Sequence, residues 1–135
     1  MMLVRYVLCL LLAGLTIALM PVQDELAESR KRGAVLYEGY CISCHMGAGE
    51  GVPGVYPPLA KSDYLMKHPE KAVQAVKYGL QGAIMVNGQR YQNYMAAQGL
   101  TDQEVADVLN YVMGNWGNKS RSMMTAAYVG AIPKP

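Results

Sequence analysis

The spacing of apolar residues predicts short helices joined by loops. Good helix formers run from Asp24 to Tyr40 and predict a first helix there. A second helix is predicted from about Pro69 to Tyr78, because proline suits the first helical position and Gly79 suits the position after the last. Its inner face, at helical spacing, comprises Ala72, Val73, Val76 and Leu80.

The clearest helix signal follows Thr101. Glu104 lies three residues further on, and this pair is the signature of a capping box at a helix start. The helix is expected to end near residues 114–117. Its apolar stripe, again at helical spacing, comprises Val105, Val108, Leu109 and Val112.

One segment departs from the helical pattern. Asn87-Gly88 favours a tight turn between Ile84-Met85-Val86 and Gln89-Arg90-Tyr91, so a short β-hairpin is expected near residues 83–91. Residues 47–54 are rich in glycine and almost uncharged, which predicts a loop. The predicted fold class is therefore all-α, with this one small hairpin.

The amino terminus has the pattern of a targeting segment. Arg5 precedes an uninterrupted apolar run, and Thr16 with Ala18 forms a small-x-small pair, which predicts a signal peptide over residues 1–18. The alternative is a signal anchor extending to about residue 20, although this is short for a hydrocarbon core about 30 Å thick. Either outcome places the domain outside the cytoplasm, and we expect a periplasmic location.

Length and charge narrow the remaining possibilities. The 135 residues have room for one domain, predicted at residues 24–117, followed by a weakly patterned C-terminal tail at residues 118–135. Twelve basic and ten acidic side chains leave a formal net charge of +2. This near-neutral balance argues against nucleic acid as a partner. Contact with a membrane is expected only if the N-terminal segment is retained as an anchor.

The cysteines supply the candidate chemistry. Cleavage of the signal peptide would remove Cys9 and leave Cys41 and Cys44, which is followed at once by His45. The Cys-x-x-Cys-His spacing is typical of c-type haem attachment. Two thiols add across the haem vinyl groups as thioethers, and the adjacent imidazole is then held beneath the iron as its proximal ligand.

Two other interpretations of this motif are weaker. A redox disulfide of the Cys-x-x-Cys kind would be expected within a strand-helix-strand pattern, and none surrounds it. A zinc site would need a second pair of ligands, and His68 is the only other plausible ligand by type and position. One covalently bound haem c, attached through Cys41 and Cys44, is therefore the predicted cofactor.

With these elements in place, most of the exported part of the chain resembles the class I, mono-haem cytochrome c family. In that family, helices wrap around one haem, and the first and last helices cross closely at a small residue. Aromatic side chains pack at this crossing. The matching positions are Gly33, Tyr37, Cys41 to His45, Tyr56 to Leu59, Met95, and Leu109 to Val112 with Tyr111 among them.

A narrower resemblance is carried by residues 54–65, 86–89 and 115–118. These segments are similar to cytochrome domains associated with copper nitrite reductases and membrane-bound dehydrogenases. The resemblance to the class I family implies that Pro57 or Pro58 offers a backbone carbonyl to the second nitrogen of His45, which would fix the imidazole ring. It also implies that Leu59 packs against the haem.

The resemblance further implies a methionine as the distal iron ligand. Met95 lies in a loop shortly before Thr101, where the family places this residue, although Ala96 stands where the family usually has proline. Methionine type alone is weak evidence in a chain with ten of them.

Other residues compete with Met95 for this role. Met85 belongs to the predicted hairpin, and Met46 adjoins the proximal ligand. His68 is the non-methionine rival, and its ordinary interpretation is a solvated residue at a helix start. Met66 and Met113 are expected to fill the core.

Two aromatic residues are further candidates for haem contacts. Tyr91 and Trp116 could hydrogen-bond the haem propionates, because buried aromatic residues often use their polar groups in this way. The alternative is that both residues simply pack.

The predicted function is one-electron transfer in an exported respiratory or dehydrogenase chain, without enzymatic activity of its own. Expected partners are a donor and an acceptor protein, such as an oxidase, nitrite reductase or dehydrogenase. Docking at residues 47–55 is expected to be mainly hydrophobic. One alternative is a haem sensor for carbon monoxide, nitric oxide or peroxide with an open or labile distal site. Another is a dedicated subunit of a larger oxidoreductase complex, with residues 118–135 as its docking element.

Overall fold

The structure, a computed structural model, describes residues 22–135 and is mostly helical, so the predicted fold class is confirmed. The predicted signal peptide and Cys9 lie outside the described residues. The helices are α1 (Val22–Tyr40), α2 (Ile42–His45), α3 (Asp63–Lys67), α4 (Pro69–Tyr78), α5 (Asp102–Val112) and α6 (Ala126–Ala131), and the strands are β1 (Ile84–Val86) and β2 (Gln89–Tyr91). Among these residues, no helix combines the length and the apolar character needed to cross a membrane.

Local sequence signals set the bounds of α5. The side chain of Thr101 accepts a hydrogen bond from the Glu104 N–H, and the Thr101 N–H donates to the Glu104 carboxylate at 2.8 Å. This is the predicted capping box, and it satisfies donors that a helix start leaves unpaired. The predicted stripe faces the core, where all of its members are buried: Val105, Val108, Leu109 and Val112.

Helix α4 also follows its prediction. Pro69 occupies the first turn, and the helix ends at Gly79, whose φ of +82° lies in the left-handed region that favours glycine. Ala72, Val73 and Val76 are buried on its inner face, as predicted. Leu80 lies just beyond the helix and is partly buried.

The predicted hairpin is present as an antiparallel pair in which Ile84 faces Tyr91. Asn87 and Gly88 have φ values of +51° and +80°, which is the geometry of the tight turn expected for Asn-Gly. The turn is attached to α3, because Asp63 and Asn87 each accept the other's backbone N–H through a side-chain oxygen. The hairpin is thereby held against the helical part of the fold.

Helices α1 and α5 cross at Gly33. A Cβ atom at this position would overlap the backbone carbonyl of Asp107 and come within 2.8 Å of the Tyr111 Cβ. Beside the crossing, the rings of Tyr37 and Tyr111 pack with their centroids 5.7 Å apart. The close crossing and its aromatic packing match the arrangement that the family resemblance implies.

A buried polar cluster joins the same two helices. Asp107 is only 2% exposed, and its carboxylate accepts hydrogen bonds from the Ser29 hydroxyl, the Arg32 guanidinium and the Gln103 amide. The Asn110 amide donates in turn to the Ser29 hydroxyl at 2.9 Å. Buried polar groups of this kind stabilise a fold only when their partners are in place.

We expect Asp107→Asn to lower the free energy of unfolding by about 1–3 kcal/mol at neutral pH, since it removes a charged acceptor from three donors. Burial by itself would raise the pKa of Asp107, but hydrogen bonds from Arg32, Ser29 and Gln103 outweigh burial and hold the pKa below its ordinary value. The stabilisation is therefore complete above the unfolded pKa of about 3.9 and is lost as the pH falls through the lower folded value.

Denaturant unfolding of the holoprotein at neutral pH and at about pH 3 checks this expectation. The deficit of Asp107→Asn should narrow at the acidic pH, because Asp107 of the unfolded wild type is protonated there and part of its charge-dependent stabilisation is lost. Glu25→Gln, on an exposed part of α1, is the matched control and should show little deficit at either pH. A deficit for Asp107→Asn that is independent of pH would contradict the proposed role of the charge.

The segment after α5 packs on the helices. Val129 is fully buried, and Met124 is also buried, with its backbone held by hydrogen bonds from and to the Asn110 side chain. Lys77 and Tyr78 of α4 donate to carbonyl oxygens of residues 129 and 132. The packed region thus extends beyond residue 117, and Met124 and Val129 are not available for the predicted docking role of the tail.

Candidate haem site

The cysteine motif lies where α1 ends. Tyr40 is the last residue of α1, Cys41 caps the single turn of α2, and His45 closes that turn. Cys41 and Cys44 are half-buried. Before the haem is attached, burial, with a smaller effect from Cys44, raises the pKa of the Cys41 thiol to about 11.

His45 is buried and its ring orientation is fixed. Its Nδ1 lies 2.9 Å from the carbonyl oxygen of Pro57, the partner to which an Nδ1–H would donate. Burial lowers the pKa of His45 despite this hydrogen bond, which favours the neutral imidazole. In that state Nε2 keeps its lone pair and can bind a metal. Of the two prolines considered from sequence, the structure places Pro57 against the ring, while Pro58 lines the adjacent cavity.

Glycines allow the loop after His45 to bring Pro57 to the ring. Gly51 donates its N–H to the His45 carbonyl at 3.0 Å and has a φ of +63°. A Cβ at Gly51 would overlap the Tyr56 carbonyl and lie within 2.7 Å of the Pro57 carbonyl oxygen. The Gly49 carbonyl accepts hydrogen bonds from residues 59 and 60, which closes the loop.

Asn118 supports the same loop from the far end of the chain. Its amide group donates to the carbonyls of Leu59 and Val112, at 2.7 and 2.9 Å. From sequence, Asn118 is expected to begin the C-terminal tail, and its contact with this loop was not predicted. Leu59 itself lines the cavity, as the prediction of a haem contact requires.

The cavity at the motif has two adjoining parts with shared lining residues, of about 80 and 350 Å³. The larger part alone falls within the range of about 300–1,000 Å³ that is usual for ligand pockets. Among the described residues, the inner part is walled almost entirely by apolar side chains, including Leu65, Val76, Val108, Leu109 and Val112. The residues that line both parts are Cys41, His45, Pro57, Leu80, Ile84 and Met95. Such a cavity suits a largely apolar, planar group bound next to two thiols and an imidazole.

Met95 is held on the cavity wall by its backbone. Its N–H and carbonyl form a pair of hydrogen bonds with Leu80, at 3.0 and 2.8 Å. Gly79 permits this approach, because a Cβ there would come within 2.8 Å of the Met95 carbonyl oxygen. The sequence predicted Gly79 only as the end of α4, and its contact with the Met95 loop was missed. The role of Met95 as an iron ligand stays a prediction.

The rivals of Met95 do not line this cavity. The Met85 side chain lies on β1 and is 55% exposed. Met46 has a φ of +65° and accepts a hydrogen bond from the Tyr37 hydroxyl at its carbonyl. The His68 side chain is 44% exposed, with its Nδ1 3.8 Å from a Glu70 carboxylate oxygen.

The two aromatic candidates lie in different places. Tyr91 is buried and lines the outer part of the cavity, where its hydroxyl lies 3.3 Å from the Gln89 side-chain oxygen. Trp116 does not line the cavity; its ring packs against Tyr37 and Tyr111, at centroid distances of 4.8 and 5.4 Å. The position of Trp116 therefore favours packing over a propionate contact. The position of Tyr91 is compatible with packing and with a hydrogen bond to a haem propionate.

The cytochrome c family model matches residues 30–116, which include the whole cavity wall described above. The chain belongs to the cytochrome c family. This membership, with the Cys-x-x-Cys-His motif on the cavity wall, confirms haem c attached through Cys41 and Cys44 as the cofactor. It also confirms electron transfer as the function.

Relatives of this cytochrome are of two kinds. Cytochrome c-552 of Thermus thermophilus is 38% identical over 101 residues, covering 71% of this chain and 68% of the relative. The cytochrome c subunit of alcohol dehydrogenase (quinone) from Gluconacetobacter polyoxogenes is 31% identical over 102 residues, covering 72% of this chain and 21% of the subunit. The gluconate 2-dehydrogenase cytochrome c subunit of Pantoea cypripedii is 30% identical over 111 residues, covering 79% of this chain and 25% of that subunit. This cytochrome thus spans a quarter or less of those two dehydrogenase subunits.

Proposed function

We propose that this cytochrome is an exported one-electron carrier whose haem iron is bound axially by His45 and Met95. One observation carries the ligand assignment. His45, with its Nδ1 directed at Pro57, and Met95, with its backbone fixed to Leu80, line the same apolar cavity as Cys41. When bound there, the haem supplies an iron that changes between the ferric and ferrous states.

Each residue has a distinct task in this proposal. The Pro57 carbonyl fixes the His45 ring and increases its basicity toward iron. A thioether ligand from Met95 would favour the ferrous state. The apolar lining of the inner part of the cavity would limit the access of water to the haem. With His45 and Met95 both bound to it, the iron would have no free position for a substrate, and enzymatic activity is not part of the proposed function.

The visible spectrum of the ferric holoprotein tests the ligand pair. We expect a low-spin spectrum with the weak long-wavelength band of sulfur-to-iron charge transfer. A high-spin spectrum would contradict the proposal and favour the sensor alternative, which needs an open distal site. A low-spin spectrum without this band would point to a nitrogen ligand in place of Met95.

The surface around the cavity mouth supports hydrophobic docking of redox partners. We define the docking rim as Tyr40, Ile42, Val55 and Tyr94, four exposed apolar or aromatic side chains at or next to the outer cavity lining. An Asn93 amide that donates to the Val55 carbonyl joins two of its segments. Among the described residues, the outer lining contains no Asp, Glu, Lys or Arg. Electrostatic steering should therefore contribute little to docking at this rim.

We expect the electron self-exchange rate between ferric and ferrous copies to depend weakly on salt. Raising the ionic strength from about 0.01 to 0.15 M shortens the screening length from about 30 to 8 Å, yet the rate constant should change less than about threefold. Steered pairs change their rates by about 10 to 10³-fold. Line broadening in NMR spectra of mixed oxidation states measures this rate without the need for an identified partner.

Tyr94→Lys is the informative variant, because it places a charge on a rim residue that is 64% exposed. It should slow self-exchange and make the rate rise with salt. Val35→Lys adds the same charge at a residue that is 71% exposed and lines neither part of the cavity, and it should have a smaller effect. A steep salt dependence of the wild type would contradict docking through an uncharged rim.

The proposed location is the periplasm, after cleavage behind Ala18. The mass of the purified haem protein tests this cleavage, since a mass that includes residues 1–18 would mean that the leader is retained as an anchor. A dehydrogenase donor is suggested by the names of the subunit relatives, and an oxidase or nitrite reductase remains the expected kind of acceptor.

A further inference from the structure

A second pocket, of about 300 Å³, brings together four methionines. It shares no lining residue with the haem cavity. Met66 comes from α3, Met113 follows α5, and Met123 and Met124 lie in the segment before α6. Residues 22–135 contain seven methionines, so more than half of them line this one pocket.

The donor set of this pocket is chemically uniform. Among the described residues, its lining contains no carboxylate, imidazole or ammonium group, and its remaining polar groups are hydroxyl-bearing side chains such as Ser120 and Ser122. Thioethers are soft ligands that select Cu(I), whereas Mg²⁺, Ca²⁺ and Mn²⁺ prefer oxygen ligands. We propose that this pocket binds Cu(I) through its methionine sulfurs.

The main-chain positions of two of these methionines are fixed by hydrogen bonds. Asn110 holds the backbone of Met124 through both ends of its amide. The Met113 carbonyl accepts from the Ser120 N–H at 3.0 Å, and the Ser120 carbonyl accepts from the Arg30 guanidinium at 2.7 Å. This scaffold keeps the segment after α5 against the end of that helix, and a preorganised site needs less ordering when it binds a ligand.

Core packing explains only part of the cluster. Met113 and Met124 are buried and would fill space in any core. Met66 and Met123 are partly exposed at the pocket. An ion could therefore enter the pocket from solvent beside these two residues, and a purely structural role does not require such access.

Titration of the ferric holoprotein with Ag(I), a redox-inert soft cation of the same charge, tests the proposal. Cleavage of the leader removes Cys9, the only cysteine outside the haem motif, and Cys9→Ser is used if the leader is retained. Calorimetry and NMR of the methionine methyl groups should show one bound ion that shifts the signals of Met66, Met113, Met123 and Met124. A competition titration of the ferrous holoprotein with a chromogenic Cu(I) chelator, in the absence of oxygen, then measures the Cu(I) affinity, because ferrous haem cannot oxidise Cu(I).

The Met66→Leu/Met123→Leu double variant keeps apolar volume but removes two sulfurs. Its affinity for Ag(I) and Cu(I) should fall by about tenfold or more, where tenfold is equivalent to about 1.4 kcal/mol. Met85→Leu, on the exposed face of β1, is the matched control and should leave the affinity unchanged. If the double variant folds poorly, the single variant Met123→Leu replaces it and should also bind Ag(I) and Cu(I) more weakly than the wild type.

The proposal would be overturned by no binding of either ion, by an unchanged affinity in the double and single variants, or by an equal loss in Met85→Leu. The charge-transfer band of the haem is followed throughout the titration. Loss of that band in step with ion binding would place the ion at Met95, and it would also count against the second pocket.

Discussion

Met95→Ala is expected to abolish the sulfur-to-iron charge-transfer band and to lower the reduction potential by about 0.2 V or more, within the range of about 0.8 V that axial haem ligands span. The reason is that thioether coordination stabilises the ferrous state, so its loss favours the ferric state. Loss of the ligand also opens the distal side of the cavity. The ferrous variant should then bind carbon monoxide readily, whereas the wild type should not. Spectra, redox titration and carbon monoxide binding measure these three effects.

Met85→Ala is the control for this experiment, since the Met85 side chain is exposed and lies away from the cavity lining. It should leave the band and the potential unchanged. His68→Ala tests His68 as an alternative iron ligand, and it should likewise leave the charge-transfer band and the reduction potential unchanged. If Met95→Ala kept the band, the distal assignment would be wrong while the electron-transfer function would stand, because the function rests on family membership.

Gly33→Ala is expected to destabilise the holoprotein by about 3 kcal/mol, at the upper end of the usual cost of overpacking a core. The added methyl group would overlap the Asp107 backbone carbonyl, which cannot turn aside as a flexible side chain can. Helices α1 and α5 would have to separate, which would loosen the packing of Tyr37 on Tyr111 as well. Denaturant unfolding monitored by helical circular dichroism measures the loss.

Gly39→Ala provides a matched control in the same helix. A Cβ at Gly39 would meet no atom within 4 Å, and alanine is the better helix former. This variant should therefore be more stable than the wild type by about 0.5–1 kcal/mol. If the two substitutions had similar effects on the free energy of unfolding, helix propensity, and not the close approach of α1 and α5, would determine the effect at position 33.

Elements with a local chemical signal were predictable from sequence. The capping pair Thr101 and Glu104, the Asn87-Gly88 turn, and the Pro69 start of α4 each act within a few residues, so their patterns are visible in the chain itself. The haem motif is of the same kind, because two thioether bonds and one axial ligand require adjacent residues.

Features that depend on contacts between distant residues were not predictable. Asn118 supports the loop that carries Leu59, 59 residues earlier in the chain, and no pattern marks such a pairing. Gly79 was recognised as a helix end, but its contact with the Met95 loop is tertiary. Trp116 was considered for the haem because of its type, and only the fold shows that its ring packs against Tyr37. The choice between Pro57 and Pro58 likewise required the orientation of their carbonyls.

The wall of the haem cavity has a consequence for the order in which this protein matures. Cys41 to His45 directly follow α1, while Val108, Leu109 and Val112 on the opposite wall come from α5. A chain that is exported from its amino terminus presents the attachment motif before α5 has crossed the membrane. The hydrogen bonds that join α5 to α1 span 75 to 81 residues, and closing so long a loop costs entropy. Thioether formation on an open chain, followed by sealing of the cavity by α5, is the order that this connectivity favours.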